Sequence, residues 1–168
     1  IEANNFYFKQ LKKNRSCKCI NETVSGIEET VEFLESGPTG GIIGDDYDNN
    51  ISKREKLLKK SKKKIVLKKT KTLEKILQEN SAPKVIDYFS LDVEGAETDI
   101  LENFNFQSYK FLSLTIERPT AKLNKILFEN DYTFVKNFKV DSFYIHNSIE
   151  NFEQIKKEKF FQLPPKSW

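Results

Sequence analysis

Methionine is absent from this chain of 168 residues, histidine and tryptophan occur once each and cysteine twice. A zinc centre takes about four Cys or His ligands, and the pair Cys17 and Cys19 with the remote His146 falls short of that set. The spacing of Cys17 and Cys19 in a predicted strand puts both thiols on one face, where geometry disfavours a bridge. Free thiols suit a reducing compartment, so a cytoplasmic location is expected. Long apolar runs are missing too: Phe111 to Ile116 is far short of the roughly 20 residues that cross a bilayer, which excludes a membrane span. No secretory leader and no initiating methionine precede Ile1-Glu2-Ala3-Asn4, so the sequence reads as a piece of a longer polypeptide with an upstream part.

What is present is an aromatic core under a charged surface, with 14 phenylalanines and a charged fraction of 32%. The length suits one domain with one core. Net charge is only +3, but Lys53 to Lys71 is dense in lysine with Glu55 as its single acid. Such a run can touch phosphates. It lacks the aromatic residues that would stack on bases, and a lysine run more often forms a solvated helix face, so nucleic acid is not the expected partner.

Along the chain, Phe6 to Lys13 has a helical pattern and Cys17 to Val24 alternates as a strand. Thr30 to Leu34 reads as a second strand, and the turn formers from Gly37 to Asn50 predict a long exposed loop. Ile65 to Leu67 is a short strand, after which Thr72 caps a helix that Pro83 closes. Val85 to Val93 is nearly continuous in apolar residues, the pattern of a central strand buried on both faces. A helix from Ala96 to Asn103, a strand from Phe111 to Ile116 and a helix from Ala121 to Asn130 follow. Tyr132 to Val140 and Ser142 to His146 then predict an antiparallel hairpin turning at Val140-Asp141. Residues 1–148 form the expected domain and 149–168 a C-terminal tail.

Strands alternating with helices imply a mostly parallel sheet whose ligands lie at the carboxyl ends of the strands. Glu2, Asn21, Asp92 and Glu117 all fall where a predicted strand ends.

The run Leu91-Asp92-Val93-Glu94-Gly95-Ala96-Glu97 is the most specific string here. With Ile1 to Asn4, Leu11 to Arg15, Thr115-Ile116-Glu117 and Asp141 to His146 in the same order, it resembles the FkbM-type methyltransferase family over roughly residues 1 to 148. The resemblance implies an α/β Rossmann-like class I methyltransferase fold with a C-terminal antiparallel hairpin, and methyl transfer from S-adenosylmethionine. The first strand and Gly-x-Gly loop of that pattern are not found before Ile1. Glycines 37, 40, 41 and 44 cannot replace that loop, because they follow later strands.

Under this resemblance Glu2 is placed to accept both ribose hydroxyls, as the acidic residue does in dinucleotide folds, or else is a helix-start acid. Asn21 and Glu22 stand near the next strand end, facing adenine or solvent. Asp92 is the first candidate for the base that takes the acceptor's proton and Glu117 the second. Glu94, Gly95 and Glu97 are candidate acceptor-binding residues; Gly95 permits close approach, and Glu97 binds substrate or steadies the first helical turn. Two or three of the carboxylates could instead hold a divalent cation that lowers the acceptor's pKa, although no metal set is assigned. His146 is expected to be structural.

The leading function is therefore O-methylation of a hydroxyl-bearing small molecule or glycan. The alternative is a methyltransferase-like interaction module that has lost turnover, since fold alone does not prove activity.

Overall fold

A computed structural model describes residues 1–35, 37–49 and 64–164. Helix α1 (Asn5–Asn14) begins where Asn4, in extended conformation, accepts hydrogen bonds from the Phe6 and Tyr7 amides. Strands β1 (Thr23–Val24), β2 (Thr30–Glu35) and β3 (Lys64–Lys71) form a first sheet, with β3 in the middle, parallel to β1 and antiparallel to β2. Helix α2 (Leu73–Glu79) is capped by the Thr72 hydroxyl and is fixed to β3 by Lys71, which ion-pairs with Glu22 at 2.9 Å and Glu79 at 2.8 Å.

The second sheet holds β4 (Val85–Leu91), β5 (Lys110–Glu117), β6 (Tyr132–Phe138) and β7 (Asp141–His146), in the order β4-β5-β7-β6. β4 and β5 run parallel, joined by α3 (Glu97–Glu102), and β7 lies antiparallel between β5 and β6. Helix α4 (Ala121–Glu129) starts at Thr120, whose hydroxyl accepts from the Leu123 amide. Phe111, Leu101, Leu123 and Leu127 are fully buried around this sheet, and Phe89 stacks on Phe111 at 4.4 Å. Two interior hydroxyls are paired: that of Tyr132 accepts from the Phe111 amide at 3.1 Å, and that of Tyr144 donates to Asn124 Oδ1, while the buried Asn124 Nδ2 has no partner.

Several expectations are corrected. β4 is the edge of its sheet, not a strand buried on both faces: Val85 and Tyr88 are 51% and 57% exposed, and Asp87 and Ser90 are exposed as well. Its apolar run covers a cavity wall instead of two sheet neighbours, since Ile86, Phe89 and Leu91 line a cavity of about 600 Å³ opposite Ile20 and Val24. Only Thr23–Val24 of the predicted strand from Cys17 is paired as a strand. Cys17 and Cys19 precede it as free thiols. The stretch from Gly37 is folded back, not an exposed loop: Gly41, Ile42 and Asn49 are buried, and Phe33 and Asn49 bridge to Ile42 and Ile43. The last part of the lysine run is strand β3, not a helix face, and its residues 53–63 lie outside the described residues. The hairpin turns at Lys139-Val140, with Phe138 opposite Asp141. In the tail, a short helix α5 (Phe152–Ile155) forms, the Gln162 amide donates to the Val135 carbonyl and the Gln162 side-chain oxygen accepts from the Asn137 amide, so Gln162 docks the tail on β6.

Gly26 joins the two halves. A Cβ there would lie 2.3 Å from the Asp99 carbonyl oxygen of α3, backbone against backbone. Gly26→Ala should therefore lower the unfolding free energy by about 1–3 kcal/mol, the usual cost of overpacking. Denaturant unfolding measures it; a variant as stable as the parent would show that the chain after β1 does not pack this closely on α3.

Candidate functional site

The parallel pairing of β4 with β5 sets Leu91 opposite Ile116, so the residues that follow, Asp92 and Glu117, emerge together at the carboxyl edge. They are close enough that a protonated Glu117 carboxyl can donate to Asp92. Burial pushes the Glu117 carboxyl up to about 7, the hydrogen bond from Arg118 opposes that rise, and the charge of Asp92 adds to it. Two neighbouring carboxylates cannot both ionise without cost, so the pair titrates as a unit.

Beyond β4 the chain turns sharply. Glu94 has φ +59° and Gly95 φ +105°. Glu94 is half-buried, and burial, then the charge of Asp92, raises its pKa against the pull of Arg118. Glu97 is buried, and its Oε1 accepts from the amides of Val93 at 2.9 Å and Gly95 at 3.4 Å. Of the two roles expected for Glu97, the geometry supplies the one that steadies the first helical turn. Gly95 meets a close neighbour, but the neighbour is protein: a Cβ there would stand 2.9 Å from the Asp48 amide nitrogen.

Glu2 lies across from this edge. Its Oε1 accepts from the Asn4 amide at 2.7 Å, which fixes the carboxylate ahead of α1. Asn21 donates to the Glu2 carbonyl at 2.8 Å and thereby holds that segment in place. Glu22 turns to Lys71 and borders the cavity of about 600 Å³. Glu2 and Asp92 both line that cavity, and both also line a second one of about 550 Å³ beside Tyr7, Gln10 and Glu94. Of the predicted site residues, Glu2, Glu22, Asp92 and Glu94 line these two cavities and Glu117 adjoins Asp92, whereas Asn21 lies behind Glu2, Gly95 packs on the Tyr47–Asp48 backbone and the Glu97 carboxylate faces inward.

His146 stands apart, its Nδ1 within 2.8 Å of the Ser148 hydroxyl and its ring edge-on to Tyr132. Among the described residues, no three His, Cys, Asp or Glu side chains are grouped so as to hold a metal ion.

Two participants are not foreseen from the sequence. Arg118, at φ +42°, reaches Asp48 at 2.5 Å, Glu117 at 3.1 Å and Glu94 at 3.6 Å. Asp48 comes from the folded-back turn after β2. Its charge was visible in Asp45-Asp46-Tyr47-Asp48, but only the tertiary fold brings it to β5.

Carboxylates gathered at the carboxyl edge of parallel strands, beside cavities of ligand size, are the arrangement in which α/β domains place their ligand sites. A family model described as the methyltransferase FkbM domain matches residues 1–134, and the chain belongs to that family. Comparison with curated proteins and with solved structures found no match in either set. Among the described residues, no helix is long and apolar enough to cross a membrane.

The raised Glu117 pKa has a consequence for stability. Between about 4.5, its ordinary value, and about 7, the folded protein holds a proton on Glu117 that the unfolded chain has released. Stability from this group is therefore greatest near pH 4.5 and falls as pH rises to 7. Melting temperatures of the parent and Glu117→Gln, taken from pH 5 to pH 8, should show the variant gaining on the parent as pH rises. A constant difference would mean that Glu117 titrates normally.

Proposed function

We propose that the chain is the larger part of an S-adenosylmethionine-dependent O-methyltransferase of Rossmann-like class I architecture, acting on a hydroxyl acceptor, a sugar or glycan ahead of a small natural product. The observation that carries the reading is the Asp92–Glu117 pair, of which Asp92 lines a cavity that Glu2 also lines. The parallel β4–β5 pair closed by an antiparallel β6–β7 hairpin supports the fold assignment. Free Cys17 and Cys19 support a cytoplasmic enzyme.

The residues present fit the cofactor. A cavity of about 600 Å³ is of the size that holds such ligands. Glu2 offers a carboxylate to two ribose hydroxyls, Glu22 a polar contact for the base, and Ile20 and Val24 apolar surface for its ring. Asn21 serves from behind by fixing the Glu2 backbone. Bound S-adenosylmethionine would supply an electrophilic methyl on a sulfonium.

The chain's own residues then have one main task, to orient the acceptor hydroxyl and take its proton. Asp92 is exposed at the cavity rim and meets the hydroxyl first. Glu117 shares its hydrogen bond, so the proton is held by the pair and not by Asp92 alone. A proton affinity near neutrality suits a base that must both accept and later release its proton. Glu94 borders the same rim and is a contact for the acceptor's other hydroxyls.

In the full-length protein, Glu2→Gln should weaken S-adenosylhomocysteine binding about tenfold to hundredfold, because hydrogen bonds to a charged acceptor contribute about 1.5–3 kcal/mol. Asp92→Asn should retain that affinity and lose about 10² to 10⁴ in turnover. Calorimetry and a methyl-transfer assay separate the two. Equal affinity in Glu2→Gln returns Glu2 to the role of a helix-start acid, and near-normal turnover of folded Asp92→Asn removes it from the mechanism. Absence of any S-adenosylhomocysteine binding by the parent would favour a module without turnover.

A further inference from the structure

Arg118 brings together three carboxylates from three separate segments. Glu117 ends β5, Glu94 lies in the turn after β4, and Asp48 belongs to the turn Gly44–Asn49, distant from both in sequence. Its backbone is held in the left-handed region, and its amide donates to the Val140 carbonyl at 2.8 Å, so the side chain leaves from a fixed origin.

The turn itself is seated at several points. The Asp48 amide donates to the Glu94 carbonyl at 3.2 Å, the Tyr47 hydroxyl donates to Asp99, and Gly95 leaves the space that the Tyr47–Asp48 backbone fills. These contacts attach the turn to the β4–α3 side. The Arg118–Asp48 ion pair carries it across to β5.

We propose that Arg118 is a positioning residue that, by binding Asp48, Glu94 and Glu117 at once, locks the Gly44–Asn49 turn in place behind Glu94, at the rim of the acceptor site, and holds Glu117 in its orientation toward Asp92. The acceptor part of this statement rests on the methyltransferase reading; the locking does not. A guanidinium is suited to the task, because its planar fork offers several donors in fixed directions, whereas a lysine ammonium is a single point charge. Arg118 is half-exposed, so each ion pair alone is weak, and the effect lies in joining three segments.

The test uses the full-length protein without added cofactor. Native chymotrypsin cleavage after Tyr47 is followed by mass spectrometry, and the Glu117 carboxyl carbon is titrated by ¹³C NMR. The groups facing Glu117 in that titration are Asp92 and Glu94 from the β4 side, Asp48 from the turn, Asp141 opposite it on β7, and Arg118 itself. Arg118→Gln should speed cleavage after Tyr47 about two- to fivefold, with an unchanged melting temperature, and should move the Glu117 midpoint to higher pH. Arg118→Lys should restore the midpoint in part and the cleavage rate little. Asp48→Asn should speed cleavage in the same range, and Lys122→Gln, on the outer face of α4, should match the parent. Cleavage at the parental rate in both Arg118→Gln and Asp48→Asn, or a Glu117 midpoint unmoved in Arg118→Gln, would overturn the proposal. Neither readout requires turnover, so the result stands apart from whether the protein methylates anything.

Discussion

The closeness of Asp92 to Glu117 constrains the surrounding structure more than any other contact. Two parallel strands in register end one residue apart, and each delivers a carboxylate to the same edge. Like charges in a partly buried place repel, and the local structure answers in three ways: a proton retained on Glu117, a guanidinium from Arg118, and backbone amides that engage Glu97 just behind. The left-handed conformations of Glu94 and Arg118 follow from the same need, since each lets a charged side chain turn back over the edge just after its strand. A hydrophobic replacement at either position would relieve the repulsion.

The rest of the fold serves to hold that edge open. Phe111, Leu123 and Leu127 build the core that fixes β5, while β7 between β5 and β6 makes the far side rigid. The first sheet is packed on α3 at Gly26, just after β1, and Glu2 is on the lining of the same cavity as Asp92. Residues of both sheets thus line one cavity of ligand size, an arrangement by which an α/β chain can position polar groups without burying them unpaired.

Much of this was legible in the sequence because it is local. Thr72 is a cap whose side chain satisfies an amide three residues on, so its neighbours alone predict it. Leu91 to Glu97 is likewise a strand end, a glycine turn and a helix start in one string. What failed was whatever depended on distant partners. The apolar run Val85–Leu91 suggests two sheet neighbours, yet its second side faces a cavity, and apolarity does not distinguish these. Cys17 to Asn21 alternates like a strand but finds no ladder before Thr23. The glycines after Gly37 signal a turn, without saying that the turn folds back to give Arg118 a partner in Asp48.

The claim that this cavity is a cofactor site is most directly tested by hydrogen exchange of the full-length protein with and without S-adenosylhomocysteine. The account predicts slower exchange at the amides of Glu2 to Asn4, Ile20 to Val24 and Asp92 to Gly95, with β6 and β7 unchanged. Protection confined to other segments, or exchange unaltered at a saturating ligand concentration, would contradict it.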